Sequence, residues 1–188
     1  INPDADLYVF SLKDAILPDV ITHMKPNKGL WVHTAGSMSM QIFEGYIERY
    51  GVIYPLQTFS KEREVNFDVI PFFLEANTEN DLDLLKKIAS ALSENVQCLS
   101  SDDRKNLHLA AVFACNFANH MYTLAENLLE EKGIAFDVLL PLIDETAAKI
   151  HEISPRKAQT GPAVRYDENV INRHLGMLSD SGMYAVYQ

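Results

Sequence analysis

His108, Asn116, Asn119 and His120 interrupt an otherwise apolar stretch of the chain. Residues of these types can move protons or hold a small polar ligand. An imidazole gives or takes a proton near neutral pH, and a carboxamide offers a donor and an acceptor. At about 100° per residue, His108, Cys115 and Asn119 share one helical face, while Asn116 and His120 share another. Residues 107–118 are apolar nearly all round, which predicts a helix buried on most faces. A polar group buried there must be hydrogen-bonded, or it costs roughly 1–3 kcal/mol. Two readings stand. One set of polar residues faces a cleft, or the polar groups bond helix to helix, in the core or across a dimer interface.

Further candidates lie in turns. Thr160-Gly161-Pro162-Ala163-Val164-Arg165-Tyr166-Asp167 is the most unusual loop. Gly161-Pro162 stiffens it, Thr160 adds a hydroxyl, and Arg165 offers a planar fork of donors suited to a carboxylate or phosphate. The alternative makes Asp167 a helix cap and Arg165 a solvated charge. His33-Thr34-Ala35-Gly36-Ser37 follows a predicted strand, and its small residues allow a ligand close to the backbone. It reads equally as a strand-to-helix turn capped by Ser37 or Ser39. Ser11-Leu12-Lys13-Asp14 occupies the equivalent place after an earlier strand. Tyr54-Pro55-Leu56-Gln57-Thr58-Phe59-Ser60 brings an amide, hydroxyls and aromatic rings to the end of a third, or is a polar loop.

These turns need elements to position them. Leu7-Tyr8-Val9-Phe10, Leu30-Trp31-Val32-His33-Thr34, Gly51-Val52-Ile53-Tyr54, residues 69–75 and Val96-Gln97-Cys98-Leu99 read as strands. Pro71 argues for an edge or an irregular start to the fourth. Helices are expected over 17–24, 40–50 and 80–92; Leu82, Leu85, Ile88, Ala89 and Leu92 form an apolar stripe on the last. Strands alternating with helices predict a parallel α/β sheet. The character changes near Ser100. Ser101-Asp102-Asp103 is an N-cap with an acidic first turn, opening a long helix to about residue 132 that Gly133 ends. Helices over 136–152 and 169–178 follow, with a loop over 155–167 between them. The predicted organisation is residues 1–100 in an α/β sheet and 101–188 in an all-α domain.

The bulk numbers exclude several classes. With 188 residues, 47% of them hydrophobic, the chain can build one large core or two small ones. No apolar run approaches the roughly 20 residues that span a bilayer, so no membrane partner is expected. Sixteen basic against 26 acidic residues give a formal charge of -10, which disfavours nucleic-acid binding. Cys98 and Cys115 are isolated, without metal-type spacing, so no metal site is expected. The lack of a disulfide framework or signal peptide points to the cytoplasm.

Taken in order, five segments carry a resemblance: residues 6–14, 33–37, 54–60, His108-Leu109-Ala110-Ala111-Val112-Phe113-Ala114-Cys115-Asn116-Phe117, and 160–167. Together they resemble the Rossmann-like NADP oxidoreductases with an uncharacterised C-terminal helical domain. These are relatives of pyrroline-5-carboxylate reductase and, more distantly, of the 6-phosphogluconate and hydroxyisobutyrate dehydrogenases. The resemblance implies a Rossmann α/β fold with a partial, mostly parallel sheet, followed by an all-α domain that forms a homodimer. It implies NADP or NAD over the carboxyl ends of the strands, with a small-molecule substrate between sheet and helices. Ser11, Leu12 and Lys13 would border the nicotinamide, with His33 and Ser37 beside them. The long helix would present His108 and Asn116 to substrate. Thr160, Arg165 and Asn119 would bind substrate, the 160–167 loop closing the pocket from the same or a partner subunit.

Two departures qualify that picture. No GxGxxG occurs, so the sequence is expected to open at a middle strand of the fold, after the turn that holds the pyrophosphate. The dehydrogenase relatives use a Lys and an Asn four apart on the long helix. Here Lys105 is followed at that offset by Leu109, and His108 by Val112. His108 is therefore the candidate for proton transfer. The expected activity is hydride transfer to or from a small carbonyl, imine or hydroxy or amino acid. The alternatives are a non-catalytic nucleotide- or metabolite-binding dimeric module on the same fold, or a purely structural helical dimer.

Overall fold

The computed structural model describes residues 2–178 and 182–187. It forms two compact units, Ile1–Phe117 and Ala118–Gln188.

In the first unit the order is β1 (Leu7–Phe10), α1 (Leu17–His23), β2 (Leu30–His33), β3 (Tyr50–Pro55), β4 (Phe72–Ala76), α2 (Glu79–Ser90), β5 (Val96–Cys98) and α3 (Ser101–Ala111). A π-helical turn, Val112–Phe117, follows α3. The five strands lie side by side in sequence order. β1, β2 and β3 are parallel, β4 runs antiparallel to β3, and β5 is parallel to β4. Strand alternation sorts the core onto two faces. Leu30, Val32, Ile53, Phe72 and Leu74 pack with Leu85 and Ala89 of α2. On the other face Tyr8, Phe10 and Trp31 pack with Leu17 and Ile21 of α1 and with Phe43. β2 is buried at all four positions, as a strand covered on both faces must be.

Several expectations are corrected. The helix predicted over 40–50 is a single 3₁₀ turn, Met40–Phe43. Gly45 takes φ 82°, which a right-handed helix does not allow, and Tyr50 already belongs to β3. The strand predicted from Val69 starts at Phe72, because Phe67–Val69 is a 3₁₀ turn and Pro71 precedes the ladder. Among the described residues the β3–β4 pair is the one antiparallel pair in a sheet that is mostly parallel, as expected. Leu92 lies beyond the end of α2 and is exposed, so it drops out of the apolar stripe.

The second unit holds α4 (Ala118–Glu130), α5 (Leu140–Glu152), α6 (Pro155–Ala158), α7 (Glu168–Met177) and α8 (Tyr184–Tyr187). α5 begins four residues later than expected, with a 3₁₀ turn, Phe136–Leu139, before it. Pro141, which lacks an N–H, sits in the first turn of α5. The expected 155–167 loop contains α6. Asp167 caps α7 by accepting the Val170 N–H at 3.3 Å. Among the described residues no helix is long and apolar enough to cross a membrane.

One polar cluster ties α3 to the sheet. Arg104 is fully buried. Its Nη1 donates to Glu75 Oε2 of β4 at 2.8 Å, and its Nη2 to the Met38 carbonyl at 2.5 Å and to Ser101 Oγ at 3.2 Å. Ser101 Oγ also donates to Glu75, at 2.6 Å. Removing one partner strands a buried charge, whereas replacing both with apolar groups is close to neutral. Arg104→Met alone should therefore lower the unfolding free energy by about 3–5 kcal/mol, and Arg104→Met with Glu75→Leu by clearly less, in urea titrations. A double variant as unstable as the single one would remove the ion pair from this role.

Candidate functional site

Because β1, β2 and β3 are parallel, the turns leaving their carboxyl ends meet at one edge of the sheet. Ser11, Leu12 and Asp14 leave β1; Thr34, Ala35 and Gly36 leave β2; Tyr54, Pro55 and Gln57 close β3. Together with His108 they line a cavity of about 500 Å³, walled on one side by Phe59 and Phe67. A second cavity, of about 460 Å³, is lined by Tyr54, Gln57 and His108 again, with Leu107, Cys115 and Asn116. Tyr54 and His108 thus form the partition between a strand-end cavity and a helix-side cavity.

That partition is tightly built. Tyr54 Oη lies 3.1 Å from His108 Nδ1, and the rings meet edge to face with centroids 6.2 Å apart. Gly36 is the floor. A Cβ there would lie 2.6 Å from His108 Nδ1 and 2.9 Å from Tyr54 Cζ, so only glycine lets both rings settle on the backbone. Burial raises the Tyr54 phenol pKa above its ordinary value, while the charge of Arg104 acts to lower it.

His33 lies beneath the turn instead of facing the cavity. Its side chain is fully buried, its Nδ1 accepts the Ala35 N–H at 3.2 Å, and its ring packs on Phe43. Burial, helped by the positive charge of Arg104, pushes its pKa down to about 4. Ser37 is exposed and donates to the Asp14 carboxylate, joining the turns after β2 and β1. Lys13 is exposed, and its carbonyl accepts the Ile16 N–H.

The π-helical turn corrects the face assignment. In a regular helix Asn116 would stand about 80° from His108 around the axis. The wider turn, about 4.4 residues, cuts that offset to roughly 10°. Asn116 and Cys115 consequently line the same cavity as His108. The expected burial of 107–118 is also corrected: Leu109, Phe113 and Phe117 are 56%, 61% and 48% exposed in the single chain.

The remaining candidates belong to the second unit. Asn119 and Arg165 are exposed, and Arg165 makes no hydrogen bond or ion pair among the described residues. Thr160 lines a cavity of about 480 Å³ with Pro162, Ala163, Ile171, Leu175 and Tyr187. Sequence reading gave Tyr54 no role of its own within the 54–60 segment and did not single out Arg104. A tyrosine at the end of an apolar strand resembles core, and an arginine in an acidic first turn resembles a solvated charge.

A mostly parallel five-stranded sheet with helices on both faces, followed by helices, makes this a Rossmann-like α/β protein with a helical C-terminal part. The chain belongs to the family of the domain of unknown function DUF2520, whose model matches residues 70–188. A Bacteroides fragilis protein named "putative NADP oxidoreductase" is 55% identical, with a TM-score of 0.92 over 100% of this chain and 74% of its own. A Thermotoga maritima protein is 26% identical, with a TM-score of 0.82 over 97% of this chain and 75% of its own. An imine reductase from Myxococcus stipitatus, in complex with NADP+, shares the fold at 13% identity, with a TM-score of 0.59 over 98% of this chain and 74% of its own. No curated protein matches the chain.

The buried His33 makes stability depend on pH. Its folded pKa, about 4, lies below the ordinary 6.5, so between those values the unfolded chain binds the extra proton. The stability this contributes is complete above pH 6.5 and is lost as pH falls toward 4. Relative to His33→Asn, which does not titrate there, the protein should lose about 3 kcal/mol of unfolding free energy across that window. Parallel pH profiles for the two proteins would refute it.

Proposed function

We propose that the chain carries the reaction centre of an NAD(P)-dependent oxidoreductase acting on a small carbonyl or imine, or on the corresponding hydroxy or amino compound. The observation that carries this reading is the Tyr54–His108 partition between two adjoining cavities. Such a reaction needs a hydride at carbon and a proton at the neighbouring heteroatom, delivered from two sides of one substrate.

The strand-end cavity fits a nicotinamide–ribose portion of NADP or NAD. Its turns expose small residues, Ser11, Ala35 and Gly36, and Gly36 has no Cβ to hold a ring off the backbone. Ser11 and Leu12 would hold that group, with Lys13 and Ser37 at its border and His33 keeping the Ala35 turn in shape from below. When bound, the nicotinamide supplies or takes the hydride. His108 exchanges the proton with the substrate heteroatom, and Asn116 orients the substrate from the helix-side cavity. In the second unit, Arg165, Thr160 and Asn119 are the groups suited to an acidic substituent. In function the division falls at residue 100: residues 1–100 serve the nucleotide and 101–188 the substrate and dimerisation, although α3 packs in the compact unit of the sheet. The exposed Leu109, Phe113 and Phe117, with Met121, Leu128, Val138 and Leu142 in the second unit, support a homodimer that covers them.

The full-length protein should bind NADPH or NADH in calorimetry and turn over at least one member of a panel of small carbonyls and cyclic imines. His108→Ala should cut kcat by about 10²-fold or more while cofactor affinity stays within about twofold. Nucleotide binding with no turnover across the panel would favour a binding module instead. Absence of nucleotide binding would defeat both. Separately, Phe113→Asp should convert a dimer to a monomer in sedimentation; an unchanged mass would place the dimer elsewhere or remove it.

A further inference from the structure

The hydrogen bond between Tyr54 and His108 has a direction that the surroundings dictate. The Tyr54 side chain is only 8% exposed, and His108 Nδ1 is the one partner of its hydroxyl among the described residues. A buried O–H without an acceptor costs roughly 1–3 kcal/mol. If Nδ1 carried the proton and donated, the phenol hydrogen would have no acceptor among the described residues. If Oη donates instead, both groups are satisfied. A neutral imidazole whose Nδ1 accepts must carry its proton on Nε2. Nε2 makes no hydrogen bond with any described residue, and His108 lines both cavities. Gly36 and Tyr54 hold the Nδ1 side of the ring. Arg104, four residues earlier on α3 and fully buried, is the charged group whose field reaches Tyr54.

We propose that Tyr54 and His108 form a two-residue proton relay, in which Tyr54 Oη holds His108 as the Nε2–H tautomer and refills Nδ1 when Nε2 gives its proton to the substrate. This rests on the reading of His108 as the proton-transfer residue. In the reducing direction the hydride from a reduced nicotinamide adds to the substrate carbon. The Nε2–H bond breaks as the heteroatom–H bond forms, and the Oη–H bond breaks as the Nδ1–H bond forms. The step leaves a tyrosinate that burial disfavours, a cost the field of Arg104 only partly offsets, and a proton from water in the adjoining cavities restores the phenol. Oxidation runs the same path backwards: Nε2 takes the proton and Nδ1 returns its own to Oη. Tyr54 acts through His108 and is a positioning residue; His108 alone meets the substrate.

The ¹⁵N spectrum of histidine-labelled protein, taken where the imidazole is neutral, tests the relay without any substrate. The His108 signals should show the Nε2–H tautomer in the native protein and a mixture of tautomers in Tyr54→Phe. For a compound the protein turns over, Tyr54→Phe should lower kcat roughly tenfold or more with KM little changed. The solvent-isotope dependence should fall from two protons in flight to one. An Nδ1–H tautomer in the native protein, or a tautomer unaltered by Tyr54→Phe, overturns the proposal, as does an unchanged kcat. If Tyr54→Phe does not fold, the native tautomer alone decides. Unchanged turnover in His108→Ala, with the Nε2–H signature present in the native protein, overturns the underlying assignment of His108 and leaves the hydrogen bond standing, so the two failures are distinguishable.

Discussion

Arg104 is a cation without access to water, and the arrangement around it follows from satisfying that charge. Its guanidinium reaches Glu75 of β4, the Met38 carbonyl after β2, and Ser101 at the start of its own helix. Three segments distant in sequence are thereby held at one point. A buried ion pair adds little net stability over an apolar pair of the same shape, but few competing packings satisfy it. Arg104 and His108 are four residues apart, hence on one face of α3. Whatever fixes the first fixes the azimuth of the second over Gly36 and Tyr54. The same charge works at a distance, reinforcing burial in keeping His33 neutral and opposing burial at the Tyr54 phenol.

Much of the fold was legible because its signals are local. β1, β2, β5, α1 and α2 sit within a residue or two of where periodicity and turn residues place them. The failures also have local causes, visible with hindsight. Residues 40–50 carry enough apolar residues for a helix, but Phe43 and Ile47 serve an aromatic core around Trp31, and Gly45 bends the chain between them. The reversal at β4 had no comparable signal: residues 34–49 make a parallel connection without a full helix, so the lack of one in residues 56–71 does not separate the two directions.

The strand-end and helix-side cavities bring together several residues that the sequence singled out, but their pairings were not legible. Gly36 was expected to let something approach the backbone, and the close neighbours are the rings of His108 and Tyr54 from the same chain. No spacing rule connects Tyr54 with a histidine 54 positions later. The π-helical turn has no sequence signature in Val112-Phe113-Ala114-Cys115-Asn116-Phe117, yet it decides which cavity Asn116 lines. The apolar pattern of 107–118 states that this surface avoids water. It does not state whether the cover comes from the same chain, and in the single chain Phe113 and Phe117 meet edge to face in the open.

The π-helical turn and the buried arginine act on the two ends of one lever. α3 is clamped to the sheet through Arg104, so the position of His108, one turn on, is set by the core. Beyond His108 a regular helix would carry Asn116 off to one side. A wider turn costs hydrogen-bond geometry and persists where a side chain has to be re-aimed. Here it returns the carboxamide to the His108 face within two turns. At a regular pitch His108 would share its face with Cys115 and Asn119; the change of pitch is what brings Asn116 to the same cavity wall. The rigidity of the first half of the helix and the irregularity of the second therefore act together: one fixes the His108 imidazole, and the other turns the Asn116 carboxamide toward the same cavity.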